Sequence, residues 1–277
     1  MQDKGKLYLV ATPIGNLEDI TLRAIRILKE VDLIAAEDTR HTLQLLNHFN
    51  ISKPLISYYR QNEKEKANSI LDKIEEGKNI ALVSDAGTPG ISDPGEEIVK
   101  KAIERKIDII PIPGACAAIA ALIASGMNTR EFCFLGFLPA NNLYKKRVLE
   151  ENKYETKTII IYEAPHKLKN TLKLIKEIWG NRKVTIAREL TKVYEEYKRT
   201  DINDALEVLQ DIRGEYVIII EGSKISQEDI EIKKRNELSL TEHYKFYQNK
   251  GYSKKEIIKL IAKDRNVNKN EIYKEFT

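Results

Sequence analysis

Short apolar runs recur along the chain and are separated by amphipathic segments. Within each run the apolar residues are continuous and do not alternate with polar ones, which is typical of strands buried on both faces of a sheet. The runs therefore predict eight strands, at Leu7–Ala11, Asp32–Ala36, Ile80–Val83, Asp108–Ile112, Phe132–Leu138, Thr158–Glu163, Val184–Arg188 and Tyr216–Glu221.

The segments between these runs carry helix signals. Thr21 can cap one helix, and another runs from Leu168 to a stop at Gly180. A third helix is expected from Asp201 to Gly214. This alternation of strands and helices indicates the α/β class. A neutral turn near residues 126–130 separates two strand–helix sets, so we expect an N-terminal α/β domain at 1–126 and a C-terminal α/β domain at 127–225.

The C-terminal segment has a different pattern, because it lacks strand-like runs after Ile225. Its spacing predicts three short helices, which form a small helix-turn-helix-like module at 236–277. Residues 223–277 carry 13 Lys/Arg and 9 Asp/Glu, so this segment holds the whole net charge of +4. It is either a solvated helical tail or an appendage that meets a polyanion such as RNA.

Composition limits the class of protein. The chain has 277 residues, 42% of them hydrophobic, which is enough for roughly two domains with real cores. Cys116 and Cys133 lie in apolar stretches and are expected to be buried thiols. The uncharged stretch from Ile109 to Asn128 is interrupted by prolines and a glycine, so it does not predict a membrane helix. We expect no signal peptide and a cytoplasmic location.

Six of the predicted strands are followed by Gly/Pro turns or charged clusters: TPIGN, EDTR, SDAGTPGISDPG, PGACAA, EAPHK and RELTK. Ligands of open sheets bind outside the carboxyl ends of strands, so these loops predict a cleft. The longest loop, Ser84–Gly95, has two aspartates and no lysine or arginine. Neither a P-loop nor a Rossmann glycine pattern is present in the sequence. A neutral or cationic ligand held by close backbone therefore fits better than a phosphate.

The cleft is poorly equipped for hydrolysis. The four histidines, His41, His48, His166 and His243, have no second ligand at metal spacing, so no metal is expected. The chain also lacks a G-x-S-x-G nucleophile elbow. Such a site suits a reaction whose reactive group is brought by a cofactor.

The segments LVATPIGNLEDITLRA, AAEDTR, VSDAGTPGISDPG, PGACAAIAAL, FLGFLP, YEAPHK and ARELTK, in this order, resemble the tetrapyrrole-methylase superfamily. Within it they are most similar to the bacterial family that methylates a cytidine 2′-hydroxyl of 16S rRNA in the decoding centre. The resemblance covers residues 5–222, and the helical tail also resembles that family's C-terminal module. The long loop after the third strand favours this branch over the alternative, a methyltransferase acting on a precorrin-type tetrapyrrole. A non-catalytic RNA-binding module with the same fold is a third hypothesis.

The resemblance implies two α/β domains with S-adenosyl-L-methionine bound in a cleft between them. Positions matching the family's cofactor loops are Pro13, Gly15, Val83, Ser84, Asp85, Thr88, Ile91, Pro113, Gly114, Cys116, Ala117, Glu163 and Leu190. The sulfonium of this cofactor makes a nearby carboxylate such as Asp85 reasonable.

Methyl transfer to a ribose hydroxyl needs alignment of the reacting atoms and removal of a proton. Candidate catalytic residues are Glu37, Asp38, Arg40 and Glu189, and His166 is a further candidate base. The residues leave open which group is the base. Arg40, His166, Arg188 and Lys192 are candidates for binding the RNA substrate. The resemblance further implies the 16S rRNA or the small ribosomal subunit as partner and a homodimer, with no membrane and no metal.

Overall fold

The computed structural model describes residues 4–209 and 212–276. In its first half, five strands form a parallel sheet in the order β3-β2-β4-β1-β5. The strands are β1 (Lys6–Val10), β2 (Leu33–Ala36), β3 (Leu55–Ser57), β4 (Ile80–Val83) and β5 (Asp108–Ile112). The helices between and after them are α1 (Leu22–Glu30), α2 (Thr39–His48), α3 (Glu63–Glu75), α4 (Glu96–Glu104) and α5 (Ala117–Ser125).

Both faces of this sheet are covered, which explains the continuous apolar runs. One face packs on α3 and α4 through residues such as Ile70 and Ile98. The other face packs on α1 and α2 through Leu28 and Leu46. Thr21 caps α1 as expected, because its hydroxyl accepts a hydrogen bond from the Ala24 amide at 3.0 Å.

The second sheet has the order β6-β7-β10-β8-β9 and is mixed. Only β6 and β7 are parallel to each other, while β10 and β9 run antiparallel to their neighbours. The strands are β6 (Phe132–Phe137), β7 (Thr158–Glu163), β8 (Lys183–Arg188), β9 (Glu196–Asp201) and β10 (Tyr216–Ile220). The helices of this half are α6 (Asn142–Glu151), α7 (Pro165–Trp179) and the short α8 (Ala205–Val208).

Helix α5 joins the two halves. It follows the last strand of the first sheet, yet its residues Ala118, Ala121 and Leu122 pack against the second sheet. The boundary between residues 126 and 127 remains a prediction. The carboxyl ends of β1, β2, β4 and β5 thereby face a common space with one end of strands β6, β7 and β10 of the second sheet.

All eight predicted strands are present, three with the predicted ends and five with one or both ends shifted by one residue. Two edge strands were missed, because β3 has three residues and β9 is the polar segment EYKRTD. The helix expected from Asp201 is wrong. Asp201 ends β9, the helix covers only Ala205–Val208, and residues 210 and 211 lie outside the described part of the chain.

The C-terminal module contains the three expected helices, α10 (Leu240–Asn249), α11 (Lys254–Asp264) and α12 (Lys269–Glu275), after an additional helix, α9 (Gln227–Asn236), that was not predicted. It has an apolar cluster of its own, built around Tyr247, Ile257 and Ile261. Inside it, the Asp264 carboxylate accepts hydrogen bonds from the Arg235 guanidinium at 2.8 Å and the Tyr247 hydroxyl at 2.6 Å. Among the described helices, none has the length and apolar character needed to cross a bilayer.

Candidate active site

A cavity of about 400 Å³ lies where the strand-end loops of the two halves meet, which is within the usual size of small-molecule sites. We call it the first cavity. From the first half it is lined by Ile14, Glu37, Asp85, Ala86, Gly87, Thr88, Ile91, Ser92, Asp93, Cys116 and Ala117. From the second half it is lined by Phe137, Tyr162, Glu163, Ala164, Pro165, Leu190, Glu215, Tyr216 and Val217.

The long loop after β4 is held in place by its neighbours. The backbones of Thr12 and Gly87 exchange two hydrogen bonds, at 2.9 and 3.1 Å. The Thr88 hydroxyl donates to the Ala115 carbonyl at 3.0 Å. Gly87 has a φ of +85°, and a Cβ there would lie 3.2 Å from the Ile14 side chain. Glycine is therefore needed at this wall for both backbone shape and space.

Three carboxylates converge on the first cavity from two loops. The Asp85 carboxylate accepts a hydrogen bond from the Asp38 amide at 2.9 Å, which ties the loop after β4 to the loop after β2. Burial, followed by the neighbouring charges of Glu37 and Asp85, raises the pKa of Asp93 to about 7. Burial and Asp85 also raise the pKa of Glu37. The nearby guanidinium of Arg60 opposes both shifts, and it donates to the Ser92 carbonyl at 3.0 Å.

The first cavity has an acidic lining, in which two of the carboxylates, Glu163 and Glu215, are paired with lysines. Five carboxylate residues line it, and its described lining includes no lysine, arginine or histidine. Such an environment stabilises a cation and repels a phosphate. The arrangement agrees with the interpretation of the long loop as a wall for a neutral or cationic ligand.

An aromatic group forms the wall from the second half. The Tyr162 ring makes edge-on contacts with Phe134 and Phe137, at centroid distances of 4.9 and 5.5 Å. Its hydroxyl accepts a hydrogen bond from the Ala118 amide in the first turn of α5, at 2.9 Å. Burial raises the pKa of Tyr162 above its ordinary value.

Glu163 belongs to a buried polar network beside the cavity. Glu163 and Lys145 are 2% and 1% exposed, and their charged atoms lie 3.4 Å apart. The Lys145 ammonium also donates to the Thr171 hydroxyl at 2.7 Å, and that hydroxyl donates to Glu163. The other oxygen of Glu163 accepts from the Ala164 amide at 2.9 Å. The residue borders the cavity, but both of its carboxylate oxygens already have partners.

A second cavity of about 310 Å³ adjoins the first. It lies between the loop after β1 and helix α2. The residues that line it are Thr12, Pro13, Gly15, Leu17, His41, Gln44, Leu45, His48 and Asp85. Asp85 is the residue that both cavities share.

The predicted cofactor positions are thus divided among several places. Those that line the first cavity are Asp85, Thr88, Ile91, Cys116, Ala117, Glu163 and Leu190. Pro13 and Gly15 line the second cavity instead. Val83 and Ser84 are buried behind the loop, and Pro113 and Gly114 are exposed and line neither cavity. Cys116 and Cys133 were expected to be buried but are only half-buried.

Among the candidate bases, Glu37 lines the first cavity. Asp38 instead caps α2 and pairs with the Arg40 guanidinium at 2.7 Å, and Arg40 lowers the pKa of Asp38 to about 2. A carboxylate with so low a pKa is a weak proton acceptor. Arg40 is exposed and lines neither cavity.

Glu189 is also engaged elsewhere. Its carboxylate accepts from the Glu215 amide at 3.0 Å and the Lys192 ammonium at 3.1 Å, and these bonds outweigh burial so that its pKa is lowered. Arg188 lies at the end of β8, and its Nε is buried without a hydrogen-bond partner. His166 is exposed in the first turn of α7. None of these residues lines either cavity.

Several lining residues were missed from the sequence, above all Asp93, Phe137, Tyr162 and Glu215. Asp93 lies just before α4, whose N-cap is Gly95. Its position in SDPG, within the same long loop as Asp85, was the available signal. Tyr162 carried no such signal, because an aromatic residue inside a strand is usually part of the core.

Comparison with known proteins places the chain in a family. A profile for "Tetrapyrrole (Corrin/Porphyrin) Methylases" matches residues 6–206. "Ribosomal RNA small subunit methyltransferase I" of Halalkalibacterium halodurans is 51% identical over 273 residues, which cover 98% of this chain and 94% of that protein. The protein of the same name from Bacillus subtilis (strain 168) is 49% identical, with the same coverage.

Two solved structures share the fold at low sequence identity. Diphthine synthase superposes with a TM-score of 0.61 at 13% identity, covering 78% of this chain and 90% of that chain. Uroporphyrin-III C-methyl transferase from Thermus thermophilus, complexed with S-adenyl homocysteine, superposes with a TM-score of 0.57 at 16% identity, covering 78% and 97%. At these identities the likeness supports the two-domain α/β fold alone.

Proposed function

The chain belongs to the tetrapyrrole methylase family, in its ribosomal RNA small subunit methyltransferase I branch, and we propose that it methylates 16S rRNA of the small ribosomal subunit. The methyl donor is S-adenosyl-L-methionine, and the acceptor in this proposal is the 2′-hydroxyl of a cytidine in the decoding centre. The observation that carries the proposal is the acidic first cavity, in a chain that is half identical over nearly its whole length to proteins named for this activity. No observation specifically favours a precorrin substrate, since the tetrapyrrole methyltransferases resemble this chain only in fold.

The residues of the first cavity fit this cofactor. When bound, it supplies a methyl group on a positively charged sulfur. The carboxylates of Asp85 and Asp93 offer that charge a stabilising field, and Gly87 lets backbone approach closely. Thr88, Cys116 and Leu190 line the remaining wall and would contact the cofactor's uncharged parts.

Proton removal is assigned in this proposal to the carboxylates that face the cavity. The bound cofactor would supply the methyl group and keep the electron pair of the broken carbon–sulfur bond, while the proton of the acceptor hydroxyl would pass to one of these carboxylates. Asp93 is the preferred proton acceptor, with Glu37 beside it, because the raised pKa of each lies closer to neutral pH than that of an ordinary carboxylate. Asp38 and Glu189 are less suited, because both are paired with cations.

Contacts with RNA outside the cavities are assigned to basic residues. Arg40 and Lys192 flank the loops that line the second cavity, and Arg188 and His166 lie on the second half. The C-terminal module would add a net positive surface for phosphates. A homodimer and a cytoplasmic location, which the resemblance implies, stand as part of the same proposal.

The test is methyl transfer from radiolabelled S-adenosyl-L-methionine to small ribosomal subunits, to free 16S rRNA and to a precorrin. We expect label in rRNA, at a single cytidine whose 3′ phosphodiester resists alkaline hydrolysis because its 2′-oxygen is blocked. Label on a base, or on the precorrin alone, would contradict the proposal. Calorimetry of Asp85→Ala gives the matching control, with cofactor affinity expected to fall at least tenfold.

A further inference from the structure

The second cavity is built from a face of one helix and one turn. His41, Gln44, Leu45 and His48 follow each other at helical spacing along α2 and face the loop that contains Gly15. This lining offers imidazole and amide groups that donate or accept hydrogen bonds, beside an apolar surface. Such a mixture suits a ligand with a flat ring and several polar atoms.

The two cavities differ sharply in charge. Five carboxylates line the first cavity, two of them paired with lysines, whereas Asp85 is the one carboxylate among the described residues that line the second. An anionic nucleotide would be repelled from the first cavity and tolerated in the second. The charge of the lining therefore separates a site for a cation from a site for a phosphate-bearing molecule.

Two basic residues, Lys192 and Arg40, lie near the second cavity, and each is paired with carboxylates. Gly15 is packed so closely on Lys192 that a Cβ there would lie 2.4 Å from its Cγ, so this lysine borders the cavity's turn. The Lys192 ammonium bonds to Glu189 and Glu215, which fixes its position. Arg40 lies in the first turn of the same helix that lines the cavity.

Asp85 places the second cavity next to the reacting atoms. It lines both cavities, and it lies near enough to Glu37 and Asp93 to raise the pKa of each. A group that enters through the second cavity thus meets the carboxylates on which the proposed chemistry depends. In-line transfer needs an approach that is separate from the donor's own pocket.

We propose that the second cavity is the subsite that receives the acceptor ribonucleotide of the RNA, with His41, Gln44 and His48 contacting its base and sugar. The inference rests on the proposed function and adds the place of its acceptor. Leu17 and Leu45 provide the apolar surface for the ring, and the hydroxyl to be methylated points toward Asp85. A nucleotide in this cavity is extruded from its stack, as for other enzymes that modify single nucleotides.

The experiment compares Gln44→Glu with Asn47→Glu. Both place a carboxylate in an exposed position of α2, but only residue 44 lines the cavity. We measure KM for small ribosomal subunits in methyl transfer and, separately, the Kd of S-adenosyl-L-methionine by calorimetry. Gln44→Glu is expected to raise KM at least tenfold through repulsion of the nucleotide, with less than a twofold change in cofactor Kd. Asn47→Glu is expected to change both by less than threefold.

The outcomes separate this inference from the function on which it rests. If wild-type protein transfers no methyl to rRNA, the proposed function fails and the subsite with it. If wild-type transfers methyl but Gln44→Glu has the same KM as Asn47→Glu, only the subsite is overturned. A tenfold loss of cofactor affinity in Gln44→Glu also overturns it, since the cavity would then belong to the cofactor. Gln44→Ala adds no charge and is expected to raise KM for small ribosomal subunits severalfold. That result would confirm that the RNA contacts this side chain.

Discussion

Replacing Lys145 with methionine removes one partner of a fully buried ion pair. The ammonium lies 3.4 Å from the Glu163 carboxylate, and both side chains are at most 2% exposed. Two unit charges at this separation attract by about 5 kcal/mol at an effective dielectric constant of about 20. Loss of the lysine also leaves the Thr171 hydroxyl without its 2.7 Å donor.

The expected loss of stability is about 3 kcal/mol. Breaking a buried pair from one side typically costs about 3–5 kcal/mol, because the remaining charge is left without its partner. The lower end applies here, since Glu163 keeps its bonds to Thr171 and to the Ala164 amide. Methionine fills a similar volume, so the cavity contribution is small.

Urea unfolding at pH 7 measures the effect, and the chain offers a matched control one residue away. Lys146 pairs with Glu177 at 2.9 Å, but these side chains are 46% and 60% exposed. Lys146→Met should therefore cost less than about 1 kcal/mol. Equal losses in the two variants, or a loss below about 1 kcal/mol for Lys145→Met, would refute the reasoning. Lys145→Met combined with Glu163→Gln should recover part of the loss.

Three further results are expected. Asp93→Asn should lower kcat/KM at least about 100-fold and abolish the fall in activity below about pH 7, which is the pKa of the wild-type carboxyl. Because the pKa of Asp93 is higher in the folded protein than in the unfolded chain, the protonated carboxyl stabilises the fold below about pH 4, and this contribution is lost as pH rises toward 7. Urea unfolding at pH 8 should therefore show Asp93→Asn to be at least as stable as wild-type. A clear loss of stability at pH 8 would contradict this. Gly87→Ala should raise the cofactor Kd more than Gly90→Ala in calorimetry, since both have φ above +80° but only a Cβ at Gly87 meets a wall, 3.2 Å from Ile14. Asp264→Ala should lower the free energy of unfolding by about 3 kcal/mol, because it leaves buried donors of the C-terminal module unpaired. The cofactor Kd should stay unchanged, and a changed Kd would contradict the view that the C-terminal module is separate from the cofactor site.

The local sequence pattern was sufficient to predict most strands and helices and the loops that follow the strands. Ile80–Val83 is apolar without interruption, as expected of a strand that is covered on both faces. Thr21 before α1 and the box of Ser253 with Glu256 before α11 are satisfied within one helical turn, so their signals are contained in the neighbouring residues. The concentration of turn residues after strand ends predicted the cleft for the same reason.

The arrangement of the site residues depended on contacts between segments that are distant in the sequence. The sequence determined that Asp85 and Asp93 share a loop, but the placement of Glu37 beside them depends on the pairing of β2 with β4. Glu163 was predicted to face a cofactor, and only tertiary packing showed its carboxylate held by Lys145, 18 residues away. Pro13 and Gly15 line a different cavity from the other predicted cofactor residues, because the loop after β1 lies against α2. A one-dimensional pattern records which faces are buried and where the chain turns, whereas the partner of a charge and the shape of a cavity are set by residues that folding alone brings together.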